Sequence, residues 1–526
     1  MANKQMIFAM PKKFSLDKLG ELLADKLQTK IERVNGKRIY LDTFDWRLYR
    51  SGMVLELECS GGLCLLLWRE IKSGTVLLSR MVRKPPKSAA DFSNAGSQGV
   101  LKQVLGRRTL VAHVTLEIHT DTLLLLNRDD KTVMRVELRR DQIIPQQGSG
   151  SHVILDNVLY LFPYRGYESE FKDRLRWAKR DGALTPITQD PLLSALGALD
   201  IAPGDYTGRP KFSLSCEQQA LQAMVRILER FLQVMDSNIA GAREDDDPEH
   251  LHDFLVAVRR TSIFIDRFSS LFPAHNLVSV VHGFQWIEQE ATPIRDLDIY
   301  MSLFHDFEDR VDADHRRALN SLYLFLQEQK KRDLGRMRTS LNSPRYHKLI
   351  ESWGEFLHMC GSAEQLSKGA MTSIGELAPK RIKNIYREFM QKAHSKSQDA
   401  SAKEICELHQ ISKHLGYHLD VFSSLFPEKK VTKLLKAHSK LQSSLNQFRD
   451  MNLQYSRLRE YKSAMKKAQA VRKISLEAVE QLIADRKSEK AKAHKKAVKQ
   501  IKRFTRKKMR KRFSSLRVVP TDGGCV

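Results

Sequence analysis

No run of apolar residues in this chain approaches the roughly 18 needed to cross a bilayer. Met1 to Phe14 also has no apolar stretch of signal-peptide length. These absences predict a cytoplasmic protein with no membrane partner. The six cysteines, Cys59, Cys64, Cys216, Cys360, Cys406 and Cys525, include no Cys-x-x-Cys pair. That argues against a disulfide framework and against a zinc ribbon, and predicts reduced thiols. Aromatics are scarce at the C-terminus, where Phe504 and Phe513 are the only ones between Lys462 and Val526. Acid is also scarce over part of this segment. Arg486 to Arg512 holds fifteen Lys or Arg against one carboxylate, Glu489, and a surplus of that size calls for a polyanionic partner.

What is present is ordinary globular material. The 526 residues are 42% hydrophobic and 29% charged, enough for two or three cores. The net charge is +26, so the basicity extends beyond the C-terminal run. Residues 1–180 are α+β and rich in strands. Val114, Leu116 and Ile118 alternate with polar neighbours, a turn follows at Asn127 to Asp130, and Met134, Val136 and Leu138 alternate again, which predicts a hairpin. Further strands are expected at 53–55, 63–68, 76–78 and 153–162, and an early helix over 15–27. Residues 181–212, with the Pro- and Gly-dense stretch from Asp200 to Pro210, read as a linker. Residues 213–462 carry helical periodicity almost without interruption, including separate helices over 276–291 and 297–307, and imply antiparallel bundles. Residues 463–526 lack a dense apolar stripe and are expected as a basic tail outside the folded part, helical or disordered.

Two passages carry more than amphipathicity. One is Glu249-His250-Leu251-His252-Asp253-Phe254-Leu255-Val256-Ala257-Val258-Arg259-Arg260; the other is Arg295-Asp296-Leu297-Asp298. His252 and Arg259 lie two helical turns apart and project to nearly the same side, with Arg260 close by. Cations stacked this way can follow a chain of phosphates. The passages resemble the CHAD family, the conserved histidine α-helical domain, through His252, Val256, Ala257, Arg259, Arg260 and Arg295 to Asp298. A second, eroded half resembles the same family through Lys413, Leu415, Tyr417, Leu441, Gln442, Leu445, Asn446 and Asp450. In that register Cys406 stands at the family's histidine, and His409 and His414 replace arginines. The resemblance implies an all-α domain of two related antiparallel helical bundles that binds inorganic polyphosphate.

The N-terminal passage Tyr40-Leu41-Asp42-Thr43, running on to Gly52, resembles the CYTH triphosphatases, which often precede CHAD. That implies a β-barrel tunnel in which carboxylates hold Mg²⁺ or Mn²⁺ and cations hold a triphosphate. Where the family has its Glu-x-Glu-x-Lys strand, counting back from Pro11 places Asn3, Gln5 and Ile7. Amides are poor ligands for a hard cation, and isoleucine cannot pair a phosphate. No catalytic residue and no metal site is assigned, and a cofactor, Mg²⁺ or Mn²⁺, is expected only if this domain is active.

The resulting expectation is a cytoplasmic polyphosphate-binding protein, associated with polyphosphate granules, whose CYTH-like domain has lost efficient hydrolysis. The site is expected at His252, Arg259, Arg260, Arg295, His409 and Lys413, with binding tightening on mild acidification as histidines charge. One rival is a metal-dependent triphosphatase using Glu56 and Glu58. Another is nonspecific nucleic-acid binding through the tail. A plain solvated helix face remains the alternative for the cations on 252–260, a charged sheet edge for Glu168 and Glu170, and helix capping or ion pairing for Asp296 and Asp298.

Overall fold

In the computed structural model the chain divides into two compact units, Met1–Thr207 and Gly208–Val526. The structure describes residues 6–9, 28–126, 129, 131–145, 152–164, 166–167, 169, 171–172, 185–187, 189–273, 277–362, 372–394, 400–467 and 472–518. Asn3, Gln5, the helix expected over 15–27, and Glu168 and Glu170 lie outside the described residues.

The first unit is built on β1 (Met6–Ala9), β2 (Gln28–Thr43), β3 (Met53–Ser60), β4 (Leu63–Glu70), β5 (Val76–Val82), β6 (Leu110–Leu126), β7 (Thr132–Ile143), β8 (Val153–Ile154), β9 (Val158–Pro163) and β10 (Thr185–Pro186). They form one antiparallel sheet in the order β10-β1-β9-β7-β6-β2-β3-β4-β5, with β8 against β7. The β6–β7 hairpin lies where alternation placed it, with Val114, Leu116 and Ile118 buried. The strand expected over 153–162 is split in two, β8 ending before Asp156-Asn157 and β9 starting at Val158.

Two expectations need correction. The barrel is not closed: among the described residues the sheet is open, with β5 at one edge and the two-residue β10 at the other. Pro186 sits on that edge strand, where a residue with no N–H is tolerated. Cys59 and Cys64 are not reduced but form a disulfide, because β3 and β4 set them directly opposite each other. Gly61 and Gly62, both at positive φ, make the two-residue turn between them. The signal was Cys-Ser-Gly-Gly-Leu-Cys, a hairpin pattern that a search for Cys-x-x-Cys passes over.

Helices α1 (Gly96–Leu105) and α2 (Pro191–Gly197) also belong to the first unit, with a single helical turn at Arg47–Arg50 and a 3₁₀ turn at Ala89–Asp91. The second contains α3 (Ala220–Glu244), α4 (Pro248–Phe268), α5 (Leu277–Ser302), α6 (Asn320–Leu341), α7 (Pro344–Ser362), α8 (Ile374–His394), α9 (Ala402–Val421), α10 (Glu428–Lys467), α11 (Lys473–Phe504) and α12 (Lys507–Ser514). Asp247 caps α4 by accepting from the Glu249 N–H, with Pro248 in the first turn, and Ser401 caps α9 in a capping box with Glu404. Helix α5 runs through Pro293 without a break, so the separate helices expected over 276–291 and 297–307 are one to Ser302. Asp296 and Asp298 therefore cap nothing; Asp298 pairs with Lys330 at 2.8 Å.

Helix α4 runs into Phe268-Ser269-Ser270-Leu271-Phe272-Pro273 and α9 into Phe422-Ser423-Ser424-Leu425-Phe426-Pro427, the same six residues. Each ends in a one-turn 3₁₀ helix before the proline. At that one offset Arg259 corresponds to Lys413, Asp266 to Asp420, and Arg295-Asp296 to Arg449-Asp450. Corresponding side chains meet: Phe264 stacks on His418 with ring centroids 4.6 Å apart, and Phe268 lies 5.8 Å from Phe422.

The basic C-terminal segment is not a tail. Helix α11 packs along α10, and Ala493, Ala497, Ile501, Phe504, Met509, Phe513 and Leu516 belong to the main core of the second unit. Phe513 stacks on Tyr386 at 3.8 Å, and the Tyr386 hydroxyl donates to the Phe504 carbonyl. The apolar positions are small or widely spaced among lysines, which hides the stripe from a composition count.

Candidate functional site

Helices α4, α5, α9 and α10 enclose a cavity of about 600 Å³. Arg259 enters it from α4, Glu288, Thr292 and Asp296 from α5, Cys406, Lys413 and His414 from α9, and Arg449 from α10. Arg259 donates to the Glu288 carboxylate at 2.5 Å and to the Thr292 hydroxyl at 3.0 Å. Arg449 donates to Asp450. The Lys413 ammonium has no hydrogen-bond or ion-pair partner among the described residues. Burial, then the Arg259 and Arg449 guanidiniums, pull its pKa down to about 8. A cation held against its own solvation and against two like charges favours an anion beside it.

The six expected site residues do not form one stripe. Arg259 and Lys413 share the cavity, from corresponding positions of the two repeats. Arg295 is elsewhere, held by Glu249 at 3.1 Å and by the Pro248 carbonyl, and His252 belongs to that second cluster. Arg260 is 4% exposed, pairs with Asp420 at 2.8 Å and lies over the rings of Tyr417 and Phe231. His409 is buried against Asn446, its ring nitrogen 2.7 Å from that amide oxygen. Arg449 was not singled out from the sequence. The signal was available, because Arg449-Asp450 repeats the Arg295-Asp296 dipeptide.

The histidines do not charge on mild acidification. Burial, then Arg295, lowers His252 to about 4; burial, then Lys413, lowers His409 to about 3; burial, then Arg267, lowers His414 to about 4. The expected tightening near pH 6 therefore has no titrating histidine behind it.

The first unit has charges too, arranged differently. Arg38 is 1% exposed and is surrounded by Glu56, Glu58 at 3.1 Å and Asp141 at 3.3 Å. Arg69 bridges Glu56 and Asp190, and Arg135 and Arg139 both pair Glu137. Period-two alternation puts Arg38 and Tyr40 of β2, Glu56 and Glu58 of β3, and Glu137, Arg139 and Asp141 of β7 on one face. Burial pushes the Tyr40 and Tyr160 hydroxyls well above the usual phenol range. Ile7 of β1 lies opposite Tyr160. Asp42, from the passage that resembles the triphosphatases, accepts from the backbone N–H groups of Thr43, Leu48 and Tyr49, and so fixes the turn after β2. Burial raises it to about 6 despite those bonds.

Residues 226–459 match the CHAD domain family model. Helices α4, α5, α9 and α10, which line the cavity, lie within or across that range. The crystal structure of the CHAD domain from the plant Ricinus communis is 21% identical, covering 59% of this chain and 96% of its own, with a TM-score of 0.48. PptA from Streptomyces chartreusis is 14% identical, covering 54% and 100%, with a TM-score of 0.41. HpAC1 from Hippeastrum, named as an adenylyl cyclase with a dominant triphosphatase activity, is 11% identical, covering 39% and 99%, with a TM-score of 0.26. No curated protein matches. No helix among the described residues is long and apolar enough to cross a membrane.

Proposed function

We propose that the protein binds inorganic polyphosphate in the cavity between α4, α5, α9 and α10, at Arg259, Lys413 and Arg449. The observation that carries this reading is the Lys413 ammonium, half-buried beside two guanidiniums and without an ion-pair partner among the described residues, in a space large enough for several phosphoryl groups. A linear polyanion suits it: each phosphate takes a cation and releases counterions, and no sequence is read. Arg295 and His252, the corresponding cluster of the first repeat, lie outside the cavity and are a secondary contact for a long chain. The repeated Phe-Ser-Ser-Leu-Phe-Pro segment supports two related helical bundles as the frame of the site.

The triphosphatase reading fares less well in the CYTH-like unit. Glu56 and Glu58, its candidate metal ligands, already neutralise Arg38 and Arg69. A divalent ion there would have to displace guanidiniums from buried carboxylates. Phosphate release from triphosphate with Mg²⁺ or Mn²⁺ is expected near background. Turnover that disappears in Glu56→Gln with Glu58→Gln would restore the enzyme. The binding reading is tested by titrating long-chain polyphosphate into wild type and into Lys413→Ala with Arg449→Ala. Loss of roughly 1.5–3 kcal/mol per removed charged contact is expected; equal affinity in both would move the site out of this cavity.

A further inference from the structure

The cavity leaves unused the most basic part of the molecule, α11 and α12, which lie beyond the residues matched to CHAD. Because their apolar side is locked into the core, their cations are fixed in register on the outer side of a rigid rod. Lys495, Lys499 and Lys502 recur at steps of four and three residues, one stripe about 10 Å long on α11, and Arg506 follows at the break before α12. All four are exposed, and none of their side chains has an ion-pair or hydrogen-bond partner among the described residues. Lys492, Lys496 and Arg503 form a second stripe about a fifth of a turn away, where Lys492 reaches Glu489 and Lys496 reaches Gln447, each at 2.9 Å. Lys507, Lys508 and Lys511 of α12 are also exposed, and no carboxylate occurs in the sequence from Lys490 to Val518.

We propose that the outer face of α11 and α12 is a docking surface for duplex nucleic acid, recognised through its phosphates and without base readout. Two parallel stripes about a fifth of a turn apart on a convex helix suit two phosphate strands bordering a groove. A single polyphosphate chain would engage one stripe and leave the other unused. Single strands are disfavoured for a separate reason. Binding them without a sequence code relies on bases stacking on aromatic rings, and the aromatics here, Phe504 and Phe513, are both turned into the core. The surface therefore offers charge and shape but nothing to stack on. Lysine and arginine contacts to phosphate position a protein on a duplex without specifying sequence.

The test uses the full chain and three labelled probes, a short DNA duplex, one of its strands, and long-chain polyphosphate, each titrated over a range of salt. Wild type is expected to bind the duplex more tightly than the strand, with similar affinity for AT-rich and GC-rich duplexes. Substituting Lys495→Gln, Lys499→Gln, Lys502→Gln and Arg506→Gln should lower the log–log salt slope for the duplex by about 3.6, about 0.9 for each lost contact. Being exposed, these changes should leave the melting temperature in place, and Lys413→Ala with Arg449→Ala should leave duplex binding intact. An unchanged slope in the quadruple variant, or no duplex binding by wild type, would overturn the proposal. So would a quadruple variant that loses polyphosphate affinity while duplex affinity holds, which would assign the ridge to the other polyanion.

Discussion

The charged face of the sheet and the cavity of the helical unit gather the same kinds of charged residue and treat them differently. In the sheet, Arg38 has three carboxylates around it and Arg69 has two, so charge is neutralised within the protein. In the helical cavity, Lys413 sits beside Arg259 and Arg449 and makes no ion pair among the described residues, although Asp266, Glu288 and Asp296 line the same space, so one cation is left open to a partner from outside. The residue types alone do not separate the two cases. What separates them is whether each cation's partner is covalently part of the chain. A buried charge that is paired serves the fold, and one left unpaired costs stability that a ligand can return.

The largest effect should come from breaking the first arrangement. Arg38→Ala leaves Glu58 and Asp141 without their ion pair and Glu56 held by Arg69 alone, and should destabilise the sheet unit by about 3–5 kcal/mol in urea or thermal unfolding. Lys413→Met should do the reverse: polyphosphate binding falls, while the unliganded protein is at least as stable as wild type because an uncompensated charge is gone. A smaller effect is expected at Glu288, the resident anion on Arg259. Glu288→Gln frees that guanidinium, and polyphosphate affinity should rise by about tenfold, about 1.4 kcal/mol; weaker binding would mean that Glu288 positions Arg259 and does not compete for it.

The smallest effect is in the pH dependence. Lys413 titrates near 8 when the cavity is empty, below an ordinary lysine, and an anion must raise it. Affinity should be flat from pH 5.5 to 7, since the nearby histidines stay neutral, and should weaken as pH rises through 8. The unliganded protein moves the other way. Above pH 8 the unfolded chain holds more protons at this lysine than the folded one, so this group's contribution to stability improves with pH. Lys413→Arg should remove both trends.

The parts of this design that were legible in the sequence are those carried by local pattern. Alternation placed the β6–β7 hairpin, and short motifs placed Arg259 and Lys413 in CHAD-like helices. Misses arose where the decisive fact is a partner far along the chain. Arg260 reads as a surface cation until Asp420 and Tyr417 close over it, and His409 until Asn446 does. The helical turn spacing of His252 and Arg259 was correct, but it says nothing of α5, which diverts Arg259 to Glu288. The C-terminal helices were taken for a tail because alanine and a few large residues can bind a helix to a core without a dense apolar stripe. Pro293 misled in a simpler way: it removes one backbone hydrogen bond, and α5 tolerates the loss inside a packed unit.

The stack of Phe264 on His418, and of Phe268 near Phe422, has an implication for ancestry. Positions that correspond between two copies of a repeat touch only where an approximate twofold axis passes, so these four rings mark that axis. On such an axis each side chain in an undiverged ancestor would have met its own duplicate. One half of the present helical unit, expressed alone, would expose the ring face of α4 or α9 to water, and a second copy of itself is the surface shaped to cover it. Within a single chain that constraint is absent: one copy has Arg259 where the other has Lys413, and the cavity they share has distinguishable ends.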